Sequence, residues 1–123
     1  MTVVVMGRGP KQRTMFNFPA MPTLTCKRVL FYSHADEAAF FHLAGNIKAV
    51  QRVESVSDSI LLHVSSRPSH QSLRDLIGLF QRYRISGMSQ LAPFLSNSNR
   101  AWFADPGKSW HRKVFGRATP QPK

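Results

Sequence analysis

The sequence predicts an α+β domain with a small, mainly antiparallel three-stranded sheet and helices packed on one of its faces. Three observations lead to this prediction. Short runs of alternating apolar and polar residues indicate strands, and residues 70–83 carry apolar side chains every three or four positions, as an amphipathic helix does. Serines that can act as N-caps stand before both predicted helices. The resulting order is β-α-β-β-α, followed by short helices.

The first predicted strand, residues 27–33, is apolar on both sides. Val29 and Phe31 face one way, and Leu30 and Tyr32 face the other. Since the two helices can cover only one face of the sheet, the second face must be covered by the chain's own aromatic residues or by another subunit. A homodimer through this open sheet face is therefore one expectation.

The other elements of the predicted core are two helices and a hairpin. Ser33 is the expected N-cap of a helix that stops at Gly45. Residues 49–56 and 59–65 form a predicted hairpin, and a bulge is expected in its first strand because valines recur there at every third position. The second helix covers residues 70–83. Together these elements predict a three-stranded sheet with two helices.

This order corresponds to a ferredoxin-like arrangement without its last strand, a similarity of topology that carries no function. Residues 1–26 are predicted to form a basic, flexible N-terminal arm, and residues 27–116 a single α+β domain. That domain includes short C-terminal helices, one of which is expected to begin at Asp105 because an Asp-Pro pair favours a helix start. Residues 117–123 are predicted to form a disordered tail.

The positive charge of the chain is concentrated at its two ends. The formal net charge is +11 over 123 residues. Residues 1–28 contain five basic and no acidic residues, residues 29–95 contain six basic and five acidic residues, and residues 96–123 contain six basic residues and one acidic residue. The sequence thus indicates a nearly neutral folded body between two cationic segments.

Clustered Lys and Arg residues favour phosphate backbones as partners, because binding releases condensed counterions. We therefore expect a non-enzymatic binding module for nucleic acid or another polyanion. An alternative is that Trp110 and Val114 face the core while the neighbouring cations form a solvated rim. The residues expected to bind a polyanion are Arg8, Lys11, Arg13, Arg74, Arg82, Lys108, Arg112, Lys113 and Arg117.

A second class of function stays open. The apolar strands and the aromatic C-terminal third are also typical of a protein-protein interaction or subunit-assembly module with no nucleic-acid role. Either way, we expect no membrane partner, since no apolar run approaches the roughly 20 residues that span a bilayer, and we expect a cytoplasmic protein.

The signals for catalysis are thin, and we expect neither an enzyme nor a bound cofactor or metal. No two of the five histidines stand three or four residues apart, as zinc ligands commonly do. The remaining enzyme hypothesis pairs Cys26 with His63. It requires a thiol whose pKa is lowered by Lys27 and Arg28, and a base within hydrogen-bond reach of that thiol.

Overall fold

The computed structural model describes residues 5–7 and 22–116. The strands form one antiparallel sheet in the order β1-β3-β4-β2. The predicted α+β class and the three-stranded antiparallel sheet, β3-β4-β2, are confirmed, and a three-residue strand is added at the β3 edge. The elements in chain order are β1 Val5–Gly7, β2 Thr23–Lys27, α1 His34–Asn46, β3 Val50–Val56, β4 Ser59–Val64, α2 His70–Arg82, a 3-10 helix Met88–Phe94, α3 Arg100–Phe103 and α4 His111–Phe115.

The first long strand lies earlier in the chain than predicted. Strand β2 is Thr23–Lys27, so its first four residues, like β1, lie in the segment assigned to the N-terminal arm. Arg28 ends the strand with a positive φ of 50°, and its N–H donates to the Asp58 carbonyl at 2.9 Å. The prediction of a strand over residues 27–33 was therefore wrong, because the chain turns out of the sheet at Arg28.

The apolar residues of that predicted strand belong to a loop, residues 28–33. The Phe31 ring lies 5.5 Å from the Phe40 ring, centroid to centroid, and packs against the core. Leu30 and Tyr32 point outward and are 59% and 84% exposed. The side chains do alternate between inward and outward positions, but they belong to a loop that packs against the core. These residues do not make the open face of the sheet apolar.

The core lies between one face of the sheet and the two long helices. Strand β4 alternates as predicted, with Ile60, Leu62 and Val64 buried and His63 on the opposite face. The predicted bulge is present as a shift in pairing register between Val50 and Arg52 of β3. The buried residues contributed by the helices are Phe40, Ala44, Leu73, Leu76, Ile77, Leu79 and Phe80.

Both helix starts were predicted correctly. The Ser33 hydroxyl accepts a hydrogen bond from the Asp36 N–H at 3.1 Å, and the Ser69 hydroxyl accepts one from the Ser72 N–H at 3.1 Å. These bonds satisfy backbone donors that have no partner inside a helix. Helix α1 continues past Gly45, one residue beyond the expected stop.

The C-terminal segment departs from the prediction at Asp105. The Asp105 carboxylate accepts from the Gly107 N–H at 2.9 Å and closes a turn, as aspartates commonly do. The helix begins only at His111, so the prediction that it starts at Asp105 was wrong. Gly116 follows its last residue with a φ of 81°, as expected for a helix end.

Gly78 offers a stabilising substitution in the middle of α2. A Cβ added there would meet nothing within 4 Å, and an interior helical glycine costs about 1 kcal/mol relative to alanine. We expect Gly78→Ala to raise the free energy of unfolding by about 0.5–1 kcal/mol in urea denaturation. Gly116→Ala is the matched control: its Cβ would also meet nothing, but the positive φ makes it destabilising. Loss of stability in Gly78→Ala would contradict this account of α2.

The outer edge of β2 is closed by a side chain. The Gln90 carboxamide accepts from the Thr25 N–H at 2.7 Å and donates to the Thr25 carbonyl at 3.0 Å, so it pairs with the edge as a neighbouring strand would. It also donates to the Gly87 carbonyl at 2.9 Å. Because an unpaired edge is a template for another chain, this contact protects the sheet from edge-to-edge pairing.

We expect Gln90→Ala to lower the free energy of unfolding by about 1–3 kcal/mol, since two backbone groups lose their partner. The bared edge should also promote association between copies of the chain. Urea denaturation and sedimentation over a range of concentrations measure the two effects. Ser89→Ala, a change at the exposed neighbour, serves as the control. A Gln90→Ala protein as stable and as monomeric as the control would show that the edge needs no such cover.

Candidate nucleic-acid interface

Helix α2 presents two arginines on its exposed side. The apolar period of the helix turns Leu73, Leu76 and Phe80 into the core, so that Arg74 and Arg82 stand in solvent on the opposite side. At 1.5 Å per residue, Arg82 lies about 12 Å further along the helix axis than Arg74. The helix thus fixes two cations at a defined spacing.

Arg74 belongs to a continuous series of cation and ring contacts. Its Cζ lies 4.3 Å from the centroid of the Trp102 ring. The Trp102 and Trp110 centroids are 6.1 Å apart, with the rings at 81°, and the Lys108 Nζ lies 5.9 Å from the Trp110 centroid. Both tryptophans are half-buried and both cations are exposed. We call Arg74, Trp102, Lys108 and Trp110 the aromatic-basic surface.

The buried Phe103 and the exposed His70 hold the two tryptophans in place. Phe103 is fully buried, and its ring lies 5.0 Å from the Phe115 ring, centroid to centroid. The Trp110 indole N–H donates to the Phe103 carbonyl at 2.9 Å. The Trp102 indole N–H donates to Nδ1 of His70, the first residue of α2, at 3.4 Å. The aromatic-basic surface is therefore positioned by packing and by hydrogen bonds.

A further hydrogen bond fixes the C-terminal segment to the far end of α2. The Gln81 carboxamide donates to the Ser109 hydroxyl at 3.0 Å, next to Lys108 in the chain. Together with the contact between Trp102 and His70, it attaches the segment at both ends of the helix. Lys108 is thereby brought beside α2, although it is far from this helix in the sequence.

Arg82 lines a shallow groove between α1 and α2. The volume of the groove is about 380 Å³, and Arg74 also lines it. Because a Cβ at Gly78 would meet nothing within 4 Å, the helix backbone between the two arginines is open to a ligand. The residues lining the groove are Leu43, Asn46, Ile47, Arg74, Asp75, Gly78, Leu79 and Arg82.

The cations of this region are not neutralised by neighbouring carboxylates. Within the described residues, no carboxylate oxygen lies within 4.0 Å of the side-chain nitrogens of Arg74, Arg82 or Lys108, whereas Arg28 and Arg52 do form ion pairs elsewhere. Asp75 lines the same groove, and its carboxylate accepts from Gln71 on the same helix at 2.9 Å. The aromatic-basic surface and Arg82 together carry three cations available to an anionic ligand.

Two of the remaining predicted binding residues, Arg112 and Lys113, stand apart from this group. Arg112 and Lys113 are exposed on α4, while Val114 of the same helix is buried. No contact joins these two cations to Arg74 or Arg82 in the described part of the chain, and their placement agrees with a solvated rim. Four further predicted residues lie outside the described residues: Arg8, Lys11, Arg13 and Arg117.

The structure separates the two residues of the enzyme hypothesis. Cys26 is fully buried, and burial raises the pKa of its thiol to about 12, so the nucleophilic thiolate is disfavoured. His63 lies on the opposite face of the sheet, with Nδ1 3.2 Å from the Thr23 hydroxyl and Nε2 3.1 Å from the Glu54 carboxylate. Cys26 and His63 therefore do not act as a pair.

The described residues contain neither a cluster of metal ligands nor a helix that could span a membrane. In residues 5–7 and 22–116, no three His, Cys, Asp or Glu side chains converge as metal ligands would. No helix in this part of the chain combines the length and the apolar character needed to cross a bilayer.

Comparisons with known proteins returned no relative. No protein-family model matches the chain, and the searches of curated proteins and of solved structures gave no match. The function is therefore inferred from the residues themselves.

Proposed function

We propose that this protein is a non-enzymatic nucleic-acid-binding module and that the aromatic-basic surface, together with Arg82, is its binding site. The observation that carries the proposal is the series of contacts from Arg74 through Trp102 and Trp110 to Lys108. It combines half-exposed rings with cations that pair with no carboxylate in the described part of the chain. Nucleic acid offers both complements, phosphate for the cations and a base face for the rings.

Binding to a phosphate backbone has a characteristic dependence on salt. Each phosphate that a cation neutralises releases a condensed counterion, so the affinity falls linearly on a logarithmic scale of salt concentration. We expect labelled RNA and DNA of mixed sequence to bind at low salt and to dissociate as salt is added, as measured by fluorescence anisotropy. Absence of binding at low salt, or binding that salt does not weaken, would reject the proposal.

A protein-interaction role is the second candidate. The apolar residues that support it lie in loop 28–33 and not on the sheet. The open face of the sheet carries polar side chains such as His63 and Glu54 beside Leu61, the register partner of Glu54, so this face is mixed and not uniformly apolar. Leu30 and Tyr32 instead expose a neighbouring apolar pair. If they form a homodimer contact, replacing both by serine should convert a dimer into a monomer in sedimentation. A wild-type protein that is already a strict monomer at micromolar concentration would remove the homodimer.

A ferredoxin-like topology without its last strand remains part of the proposal. Its support is the order of the sheet, in which β4 lies between β3 and β2 and pairs antiparallel with each. Strand β1, at the β3 edge, is an addition to that arrangement.

A further inference from the structure

We infer that the aromatic-basic surface takes a single strand of nucleic acid and not a duplex, an inference that rests on the proposed function. The surroundings of α2 favour a single strand. A helix that reads duplex DNA enters a major groove about 12 Å wide, and a helix with its side chains is itself about 10–12 Å across. Such a helix must protrude from the protein.

Helix α2 does not protrude, because it has neighbours on both flanks. On one side, Leu43 and Asn46 of α1 form the opposite wall of the groove that contains Arg82. On the other side, Ser109 and Trp102 of the C-terminal segment contact Gln81 and Arg74. The exposed side of α2 is therefore flanked along both of its edges, so it cannot enter a major groove as a free-standing helix does, whereas a flexible strand can follow its surface.

Stacking surfaces lie among the cations. Arg74 lies against the Trp102 ring with its Cζ 4.3 Å from the centroid, and its side chain is exposed to an incoming base. Bases stack on arginine planes and on aromatic rings only where they are not already stacked within a duplex. Trp110 adds a second half-exposed ring beside Lys108. These groups match an unpaired base next to a phosphate.

The cations are distributed along the exposed surface around α2. Lys108 lies beyond Trp110, at the opposite end of the contact series from Arg74, and Arg82 lies about 12 Å along α2 from Arg74. The cations are distributed around the stacking surfaces and do not form a single cluster. This arrangement suits a backbone that passes along the surface while successive bases turn toward the rings.

The tryptophans themselves provide the readout. The chain contains two tryptophans, Trp102 and Trp110, and both belong to the aromatic-basic surface, so a base stacked there should quench the intrinsic fluorescence of the full-length protein. The probes are an oligothymidine of about 12 nucleotides, the duplex it forms with oligoadenine, an abasic strand of equal length, and inorganic polyphosphate. All are titrated at the same low salt concentration.

We expect the oligothymidine to quench the fluorescence and to bind about fivefold or more tightly than the duplex, the abasic strand or polyphosphate, since stacking of one base accounts for a factor of about 5 to 150. Polyphosphate or the duplex binding as tightly as the oligothymidine, without quenching, would overturn the single-strand inference and leave polyanion binding intact. No binding of any probe would overturn the proposed function as well.

A variant locates the stacking contact. Trp102→Leu keeps an apolar side chain under Arg74 but removes the ring, so the preference for oligothymidine over the abasic strand should fall by about tenfold. An unchanged preference in a folded Trp102→Leu protein would contradict stacking at Trp102. Should this variant fail to fold, the comparison of the four probes on the wild-type protein still decides the inference.

Discussion

Replacing Phe103 by alanine is expected to lower the free energy of unfolding by about 3–5 kcal/mol, the range found when a buried phenylalanine is truncated. Phe103 is fully buried, and its ring packs 5.0 Å from Phe115 and 5.7 Å from Trp102, centroid to centroid. A cavity there removes the packing that joins the C-terminal segment to the core. The two tryptophans should then become more exposed, which shifts their emission to longer wavelength.

Urea denaturation measures the loss of stability, and the conservative change Phe103→Leu provides the control. Leucine fills most of the space, so its cost should stay below about 1.5 kcal/mol. If Phe103→Ala were within 1 kcal/mol of the wild-type protein, a magnitude ordinary for a surface substitution, the C-terminal segment would not be an integral part of the fold. The positioning of the aromatic-basic surface would then need another explanation.

Neutralising Arg74 and Lys108 together is expected to weaken binding of single-stranded oligonucleotide by about 30- to 150-fold at low salt, at about 1–1.5 kcal/mol for each charged contact. The variant is Arg74→Gln with Lys108→Gln, measured by fluorescence anisotropy. Both side chains are exposed, so its stability should change little. Loss of Arg74 also removes the cation over the Trp102 ring.

The control for this variant removes the same charges from the other side of the molecule. Lys27 and Arg52 lie on the open face of the sheet, where their register partners are Ser59 and His63. Lys27→Gln with Arg52→Gln therefore lowers the net charge equally without touching α2. If both double variants lost affinity to the same extent, binding would depend on overall charge and not on the aromatic-basic surface.

The local signals in the sequence were sufficient for the starts of the two long helices and for the hairpin. Ser33 and Ser69 act as caps because a side-chain hydroxyl near the first turn is all that a cap requires. The first strand was misplaced because the turn at Arg28 depends on a bond to Asp58, far along the chain. An aspartate followed by a proline can begin a helix or a turn. At Asp105 the chain forms a turn, which the hydrogen bond from the Gly107 N–H to the Asp105 carboxylate closes.

The candidate site was predictable in its parts but not in its arrangement. Arg74, Arg82 and Lys108 follow from charge and helical period. Their connection depends on Trp102, which contacts Arg74 and His70 across a long stretch of sequence. Periodicity reports neighbours within one helix, so it carries no signal for such contacts. For the same reason, the sequence alone could not distinguish Arg112 and Lys113, which have equally basic neighbours, from the cations of the candidate site.

The salt dependence of binding tests the central claim most directly. The logarithm of the affinity for oligothymidine is measured against the logarithm of salt concentration for the wild-type protein and both double variants. Loss of two phosphate contacts should make the slope shallower by about 1.4 in the variant at Arg74 and Lys108, since each contact with a single strand accounts for about 0.7. The variant at Lys27 and Arg52 should keep the wild-type slope. Equal slopes for the wild-type protein and the variant at Arg74 and Lys108 would contradict binding at this surface.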